Sequence, residues 1–401
     1  MIASFKNEIF HSSIKSVQLA NNSTTFEMPI LTLNSEEQLN LSFDFLEDDA
    51  TDFSYTYIKC DINWEKYDNI FFHDFAEGVE EKFITEFDFS ENTTTNYIHY
   101  SLDFPSSESK FLLSGNYVII VRNTETSKVV LTRKFYVLES KTKINPEPTQ
   151  PLNFEKRKTH QLINFTVNYS MITSDNPSSE FKAVVIQNGR YDNRKYNLKP
   201  SFFKENRLMF NNENKNLFES GNEYRILDFR DLKQTGQGVE EIFFKDSVYH
   251  IIPTIDYNRA YSNYQQSPDH NGKFFIEKKP RIGNPDITSD YAFVHFRSAR
   301  KIPLDSSSVF IINRIYGGEL NENLRMIYKD SLEHYEAHLL LKQGVYDYAY
   351  ASNKSGEKNL SWIDTDGSHY ETKNAYTILI YFKGFNDETE TLIGVKRFVF
   401  Q

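Results

Sequence analysis

The feature that most limits how this chain can fold is a regular alternation of apolar and polar residues. Between residues 39 and 45, every second side chain is apolar (Leu39, Leu41, Phe43 and Phe45) and the intervening ones are polar (Asn40, Ser42 and Asp44). Because successive side chains of a β-strand point to opposite faces, this period of two predicts a strand with its apolar set in a core. We expect the polar set to face solvent. Similar alternation occurs at residues 53–57, 100–104, 163–169, 335–341 and 346–350.

Composition favours the same fold class. The chain contains 34 Phe and 25 Tyr among its 401 residues, and aromatic side chains are enriched in strands. No apolar pattern with helical spacing extends beyond about three turns, although residues 67–83 leave room for a short helix. We therefore predict an all-β protein made of tandem immunoglobulin-like or early-set β-sandwich domains.

The length of the chain exceeds what one hydrophobic core usually serves, so several domains are expected. Two passages interrupt the strand pattern, one at residues 139–152 with three prolines and one at residues 278–289 with proline and glycine. Proline removes a ladder donor, which favours a linker or a sheet edge at such places. We predict an N-terminal β-sandwich at 1–140, a central β-sandwich at 141–283 and a C-terminal early-set-like β-sandwich at 284–401.

Charge and cysteine content limit the class of partner and the chemistry. A net charge of -11 disfavours a nucleic-acid partner, which requires clustered Lys and Arg. Cys60 is the single cysteine, so an intramolecular disulfide is excluded. No apolar run approaches the roughly 20 residues of a membrane-spanning helix, so we expect no membrane-spanning segment. Residues 1–8 lack the basic and apolar regions of a signal peptide, and we expect that none is present in this sequence.

Three local patterns suggest catalytic or metal-binding groups, and we expect none of them to act as one. On a helix, His334 and His338 could share a zinc ion, but the surrounding alternation indicates a strand, where they would lie about 13 Å apart. The sequence Asp364-Thr365-Asp366-Gly367 matches half of a calcium loop without the downstream glutamate. The sequence Gly236-Gln237-Gly238 lacks the strand and helix that frame a phosphate loop. We therefore predict no catalytic residue, no metal and no cofactor.

An aromatic loop near residue 70 is a candidate partner-binding surface. It contains Tyr67, Phe71, Phe72 and Phe75. Aromatic side chains dominate the energetics of protein interfaces, which favours contact with a partner. They are also commonly buried, which favours a place in the core. Both interpretations remain open at this point.

The centre of the chain carries an unusual mixture of charge and apolar surface. Residues 221–232 set arginines and acids between large apolar residues, and we expect Glu223, Tyr224, Arg225, Asp228 and Arg230, together with the distant Trp64, to form a structural motif. A partly buried guanidinium without a carboxylate is costly. We therefore predict that the two arginines pair with Glu223, Asp228 or Asp231 and stabilise the fold.

An ordered set of short motifs resembles a known family. The motifs are Cys60-Asp61-x-x-Trp64, residues 97–105 (YIHYSLDFP), residues 113–117 (LSGNY), residues 131–135 (LTRKF), Gly221-Asn222-Glu223-Tyr224-Arg225 and Leu341-Lys342-Gln343-Gly344. Each is short, but their order and spacing together are specific and extend over nearly the whole chain. The sequence resembles the plug protein family of the bacterial type IX secretion system.

The resemblance implies a function without catalysis. It implies a periplasmic protein of β-sandwich modules, peripherally associated with the outer membrane, that binds the periplasmic end of the giant outer-membrane translocon barrel. Such a protein closes the barrel's pore when no substrate is passing. Neither a cofactor nor a small-molecule substrate follows from the resemblance.

A carbohydrate-binding β-sandwich protein, or an accessory module of a glycoside hydrolase, is the alternative interpretation. It rests on the aromatic content and on Tyr346-Asp347-Tyr348-Ala349-Tyr350, which is similar to the glycogen-binding type of early-set sandwich. The tryptophan expected after the strand at residues 309–312 is absent, and Ile315-Tyr316-Gly317-Gly318 lies in its region.

Overall fold

The computed structural model describes residues 4–21, 28–106, 108–354 and 359–400. The prediction of an all-β sandwich architecture is confirmed. The helices within these residues are single turns: α1 (Phe72–Phe75), α2 (Pro177–Glu180), α3 (Pro285–Thr288), and 3-10 turns at Glu322–Leu324 and Asp330–Leu332.

The first sandwich contains strands β1 to β10. They are β1 (Glu8–Ile9), β2 (Ile14–Asn21), β3 (Ile30–Thr32), β4 (Leu39–Phe45), β5 (Phe53–Cys60), β6 (Lys82–Ile84), β7 (Glu86–Phe89), β8 (Ile98–Phe104), β9 (Gly115–Asn123) and β10 (Val129–Leu138). One sheet has the order β1-β10-β9-β5-β6, with β3 beside β10, and the other has the order β2-β4-β8-β7.

The rest of the chain continues with β11 to β29. They are β11 (Lys143–Thr149), β12 (His160–Asn168), β13 (Phe181–Gln187), β14 (Lys195–Leu198), β15 (Phe202–Lys204), β16 (Arg207–Phe210), β17 (Leu217–Glu219), β18 (Arg225–Asp228), β19 (Val239–Lys245), β20 (Val248–Pro253), β21 (Asp256–Tyr257), β22 (Phe274–Ile276), β23 (Tyr291–Ala299), β24 (Ser307–Ile312), β25 (Arg325–Lys329), β26 (His334–Lys342), β27 (Gly344–Lys354), β28 (Ala375–Phe382) and β29 (Thr391–Val399).

These strands form a second and a third sandwich. The second has one sheet in the order β11-β12-β16-β15, with β17 beside β12, and a facing sheet in the order β14-β13-β28-β29. The third is a single long sheet in the order β18-β27-β24-β25-β26-β23-β20-β19, with β21 and β22 beside it. Side chains from both halves of the long sheet share one core, as where the rings of Phe296 and Tyr348 lie 5.0 Å apart. The long sheet therefore folds over on itself.

The sheet pairing differs from the predicted division at residue 284. Strand β13 pairs with β28 along its whole length, so the C-terminal strands complete the second sandwich. Strand β20 pairs with β23 across the predicted boundary. The third sandwich is consequently an insertion between β17 and β28. Alternation within a strand does not indicate which distant strand pairs with it, so the sequence pattern could not reveal this arrangement.

The predicted register of β4 is correct for its apolar face and wrong at one polar position. Leu39, Leu41 and Phe43 are fully buried in the first core. Asn40 and Ser42 are partly exposed, but Asp44 is fully buried. The reason is that the third sandwich covers this end of the outer face, so a position predicted to face water faces another domain.

Candidate functional site

A buried ion pair joins the first sandwich to the third. Lys342 donates from Nζ to Asp44 Oδ2, and the two side chains are 1% and 0% exposed. The Tyr291 hydroxyl donates to the same carboxylate oxygen at 2.6 Å, and His99 Nδ1 lies 2.7 Å from Oδ1. The ammonium group is 4.1 Å from the centre of the Tyr97 ring. We call these five residues the polar junction.

The electrostatics of the polar junction depend on all of its members. Burial lowers the pKa of the Lys342 ammonium, and the charge of Asp44 acts in the opposite direction. Removing both charges from water is costly, and the cost is repaid only where further hydrogen bonds satisfy the carboxylate. Tyr291 and His99 provide those bonds here. The junction is therefore sensitive to the loss of any one partner.

The residues that follow Lys342 explain why this motif carries a glutamine and a glycine. Gln343 donates from its side chain to the carbonyl of Arg230 and accepts from the backbone nitrogen of Asp290 at 3.3 Å. A Cβ atom on Gly344 would lie 2.2 Å from the carbonyl oxygen of Phe275. The family motif at residues 341–344 thus serves close packing and interdomain contact.

A second junction surrounds Lys134 and connects all three sandwiches. Lys134 pairs with Glu319 of the third sandwich at 2.6 Å. Its ammonium group lies 4.8 Å from the ring of Trp64 in the first sandwich and 4.5 Å from the ring of Tyr191 in the second. Cation–π contacts of this kind are strongest where water is excluded. The predicted structural residue Trp64 therefore lies at a domain interface.

The turn that presents Trp64 is built by the preceding aspartate. Asp61 Oδ1 accepts from the backbone nitrogens of Asn63 and Glu65, both at 2.8 Å. Trp64 has a φ of +72°, a conformation that bulky L-residues rarely adopt. The Cys60 thiol next to this turn is buried, and burial raises its pKa to about 12. A nucleophilic thiolate is thus disfavoured at this position.

The two central arginines have different partners. Arg230 pairs with Asp228 at 2.6 Å, as predicted, and with Glu277 at 2.7 Å. For Arg225 the predicted partners were wrong, since it pairs with Asp256 at 2.8 Å and with the buried Asp366. These carboxylates are distant in sequence and reach Arg225 only through the folding of the third sandwich.

The other members of the central motif are also engaged in the fold. Glu223 accepts from the hydroxyl of Tyr264 and from the backbone nitrogen of Lys373. Tyr224 is buried and packs edge-on against Trp362, with ring centres 5.4 Å apart. The central run therefore links the third sandwich to the chain that leads back into the second.

The aromatic loop near residue 70 divides into buried and exposed members. Phe72 and Phe75 are in the first core, and the Tyr67 hydroxyl donates to the carboxylate of Glu390 in the second sandwich. Phe71 is 74% exposed. Of the four residues predicted to bind a partner, Phe71 is thus the one whose ring is presented to solvent.

An exposed aromatic edge was not found by sequence reasoning. Phe83 on β6 and Phe87 and Phe89 on β7 are exposed, and each strand lies at the edge of its sheet. The rings of Phe87 and Phe89 are 6.0 Å apart. Alternation at residues 86–89 resembles that of a core strand, so period alone could not distinguish this edge from a buried strand.

The side chains that suggested metal binding in the sequence make contacts within the fold. His334 and His338 lie on β26, and the Nδ1 atom of His338 is 2.7 Å from that of His295. Asp366 forms ion pairs with both Arg225 and Arg259. Within the described ranges, no group of three or more His, Cys, Asp or Glu side chains is arranged to hold a metal ion. Nor does any helix of those ranges have the length and apolar character needed to cross a membrane.

The polar junction leads to a stability prediction. The variant Asp44→Asn leaves the buried Lys342 ammonium without a counter-charge, and we expect the free energy of unfolding to fall by about 3–5 kcal/mol. Adding Lys342→Met to Asp44→Asn should recover part of the loss, because the stranded charge is then removed. Urea denaturation measures both effects. The control is Asp103→Asn, at an exposed position of β8, which should change stability by less than about 0.5 kcal/mol. An equally small change for Asp44→Asn would contradict the role of Asp44 as the counter-charge of Lys342.

A further buried lysine, Lys59, predicts a pH dependence. Lys59 donates to the carbonyl of Ser114 at 2.6 Å, and burial lowers its pKa to about 7. Its pKa in the unfolded chain is about 10.4, so the unfolded state binds more protons between these values and stability should rise with pH from 7 to 10. The variant Lys59→Met should reduce that rise by up to about 1.4 kcal/mol per pH unit. Urea midpoints at pH 7, 8 and 9 give the slope of stability against pH for each variant. A slope in Lys59→Met equal to that in the surface variant Lys143→Met would refute the prediction.

Comparison with known proteins places the chain in a family. The sequence model described as the first domain of the type 9 secretion system plug protein matches residues 14–139, which covers most of the first sandwich. No curated protein matches the chain. A crystal structure at 2.30 Å resolution of a hypothetical protein from Parabacteroides merdae ATCC 43184 superposes with a TM-score of 0.95 at 30% identity, over 99% of this chain and 100% of that one.

The similarity to a second solved structure is too low to support an argument about this chain. The C-terminal domain of the Streptococcus pyogenes antigen I/II-family protein AspA aligns over 96% of this chain and 98% of that one, at 7% identity and a TM-score of 0.16. The motifs and the matched first domain lead to one conclusion: the chain belongs to the type IX secretion system plug protein family and is a component of that secretion system.

Proposed function

We propose that this protein closes the type IX translocon without performing any catalysis. It binds the periplasmic end of the outer-membrane translocon barrel and blocks the pore when no substrate is passing. It is located in the periplasm and is peripherally associated with the barrel. Membership of the plug protein family is the observation that carries this proposal.

The junctions between the sandwiches support a blocking role. Closing a wide aqueous pore requires folded bulk and a matched surface, and domains that move freely past one another would make a poor seal. The polar junction and the Lys134 contacts bury charge between the sandwiches, so separating them would expose or strand these groups. The three sandwiches are therefore held together and present one continuous surface to a partner.

The surroundings of the candidate reactive groups support a protein without enzymatic activity. The carboxylate of Asp366 pairs with two arginines, and the Cys60 thiol has a raised pKa. Tyr346, Tyr348 and Tyr350, which suggested a carbohydrate surface, are buried in the third core. None of these groups is therefore placed to stack on a sugar or to attack a substrate.

The contact with the barrel includes Phe71 in this proposal. Its ring is 74% exposed, although the neighbouring Phe72 and Phe75 are held in the core. A rigid base beneath an exposed aromatic ring lowers the entropy lost when a partner covers it. Aromatic residues of this kind are typical interface hot spots.

Co-purification with the translocon barrel tests the proposal. The variant Phe71→Asp should weaken binding by about 2 kcal/mol, roughly 30-fold, because truncating a hot spot costs that much. Its thermal midpoint should stay unchanged, since the ring makes little contact with the core. The matched control is Phe154→Asp on the second sandwich, where the ring is 81% exposed, and it should retain full binding.

Three results would count against the proposal, the first against the role of Phe71 and the other two against the plug function. Equal recovery of the barrel by Phe71→Asp and Phe154→Asp would remove Phe71 from the contact but leave the plug function standing. Recovery of the native protein only as a free monomer from native membranes would reject the plug function itself. An unchanged pore permeability in membranes that lack the protein would reject it as well.

A further inference from the structure

A cleft between the first and third sandwiches is not explained by the proposed function. It has a volume of about 450 Å³, within the usual range for binding sites. The segment from Ile9 to Ser16 forms one side and residues 338–342 of β26 form the other. Aromatic side chains of Phe274, Tyr316 and Tyr346 also line it.

One wall of the cleft is an open strand edge. Strand β26 pairs with β23 along its whole length, whereas β25 pairs only with residues 334–336 of β26. Beyond that point, no strand in the described part of the chain pairs with β26 on the β25 side. Residues 337–341 therefore lack a paired strand on this side, whereas the carbonyl of Lys342 accepts a hydrogen bond from the Tyr346 hydroxyl.

The direction of the free backbone groups follows from the hydrogen bonds at both ends of β26. Gln343 donates its backbone N–H to Asp290 and Arg300 donates to Glu333, so the odd-numbered residues of β26 bond toward β23. In a regular antiparallel ladder the even-numbered residues then point the other way. The N–H and C=O groups of His338 and Leu340 are thus directed to the open side, and both residues line the cleft.

The charge of the cleft differs from that of the protein as a whole. The chain has a net charge of -11, yet no Asp or Glu is among the described residues that line the cleft, whereas Lys15, Lys342, His11 and His338 are. Lys342 is neutralised by Asp44. Lys15 donates to the carbonyl of Ser12 at 2.7 Å and has no carboxylate of the described residues within ion-pair distance.

We propose that this cleft binds an extended peptide segment that carries a carboxylate. The peptide adds a strand to the free edge of β26 through the backbone groups of His338 and Leu340, and its carboxylate pairs with Lys15. Main-chain hydrogen bonds provide affinity in such strand addition, and the side-chain surroundings provide specificity. The partly exposed rings of Phe274 and Tyr316 accept the apolar side chains of the peptide.

Fluorescence anisotropy with the full chain tests the proposal. The probe is a labelled eight-residue peptide in which valine alternates with glutamate and threonine. A second peptide replaces each glutamate by lysine, and a third replaces the central threonine and valine by proline, which removes ladder donors. We expect the lysine and proline peptides to bind at least tenfold more weakly than the first.

Protein variants locate the site. Lys15→Glu should weaken binding of the acidic peptide at least tenfold, and the milder Lys15→Gln should weaken it less. Lys143→Glu, at an exposed position on the edge strand β11 of the second sandwich, should leave binding unchanged. Hydrogen exchange should show the Leu340 amide slowed by the acidic peptide.

Several outcomes would overturn the proposal. These are equal binding of the acidic and lysine peptides, equal effects of Lys15→Glu and Lys143→Glu, and absence of binding at millimolar peptide. Slowed exchange confined to β7 would place the peptide at the wrong edge and would reject the site as well. Loss of barrel binding in the Phe71 experiment would not affect this test, because the two surfaces are separate.

Discussion

The buried pair of Asp44 and Lys342 is the interaction on which the arrangement of this protein depends. Each member sits on the outer face of its own sheet, where a charged side chain would normally face water. Packing the first and third sandwiches against each other removes both from solvent. Their mutual attraction, the bonds from Tyr291 and His99, and the contacts of Lys342 with the Tyr97 ring and the Asp286 carbonyl offset that cost. A correctly joined interface is therefore favoured over one that is shifted, since a shift would strand a charge.

The family motifs acquire a common physical meaning from this arrangement. Lys342 belongs to one motif and Trp64 to another, and both lie between sandwiches rather than inside a single core. Arg225 belongs to a third, and through Asp256 and Asp366 it holds together segments that are far apart in sequence. The residues that carry the family resemblance thus stabilise the arrangement of the three sandwiches. This agrees with a function that depends on the shape and surface of the protein.

The sequence predicted the strands well and their long-range contacts poorly, for reasons that particular residues illustrate. Phe43 and its apolar neighbours on β4 are placed by a period that depends only on local geometry. Asp44 was misplaced because burial there depends on another domain, and the partners of Arg225 were missed because ion pairing depends on chain folding. The exposed edge at Phe87 was missed because a strand carries no local sign of lacking a neighbour.

Native-state hydrogen exchange with increasing denaturant is the most direct test of the claim that the junctions join the three sandwiches into one cooperative unit. The informative amides are those of buried strand residues in each core, Ile119 in the first, Ile378 in the second and Val294 in the third. We expect their opening free energies to converge on one value, because a single global unfolding event would expose all three amides. If Val294 opened at a distinctly lower free energy than the other two, the third sandwich would unfold on its own, and the junctions would not join the three sandwiches into one unit.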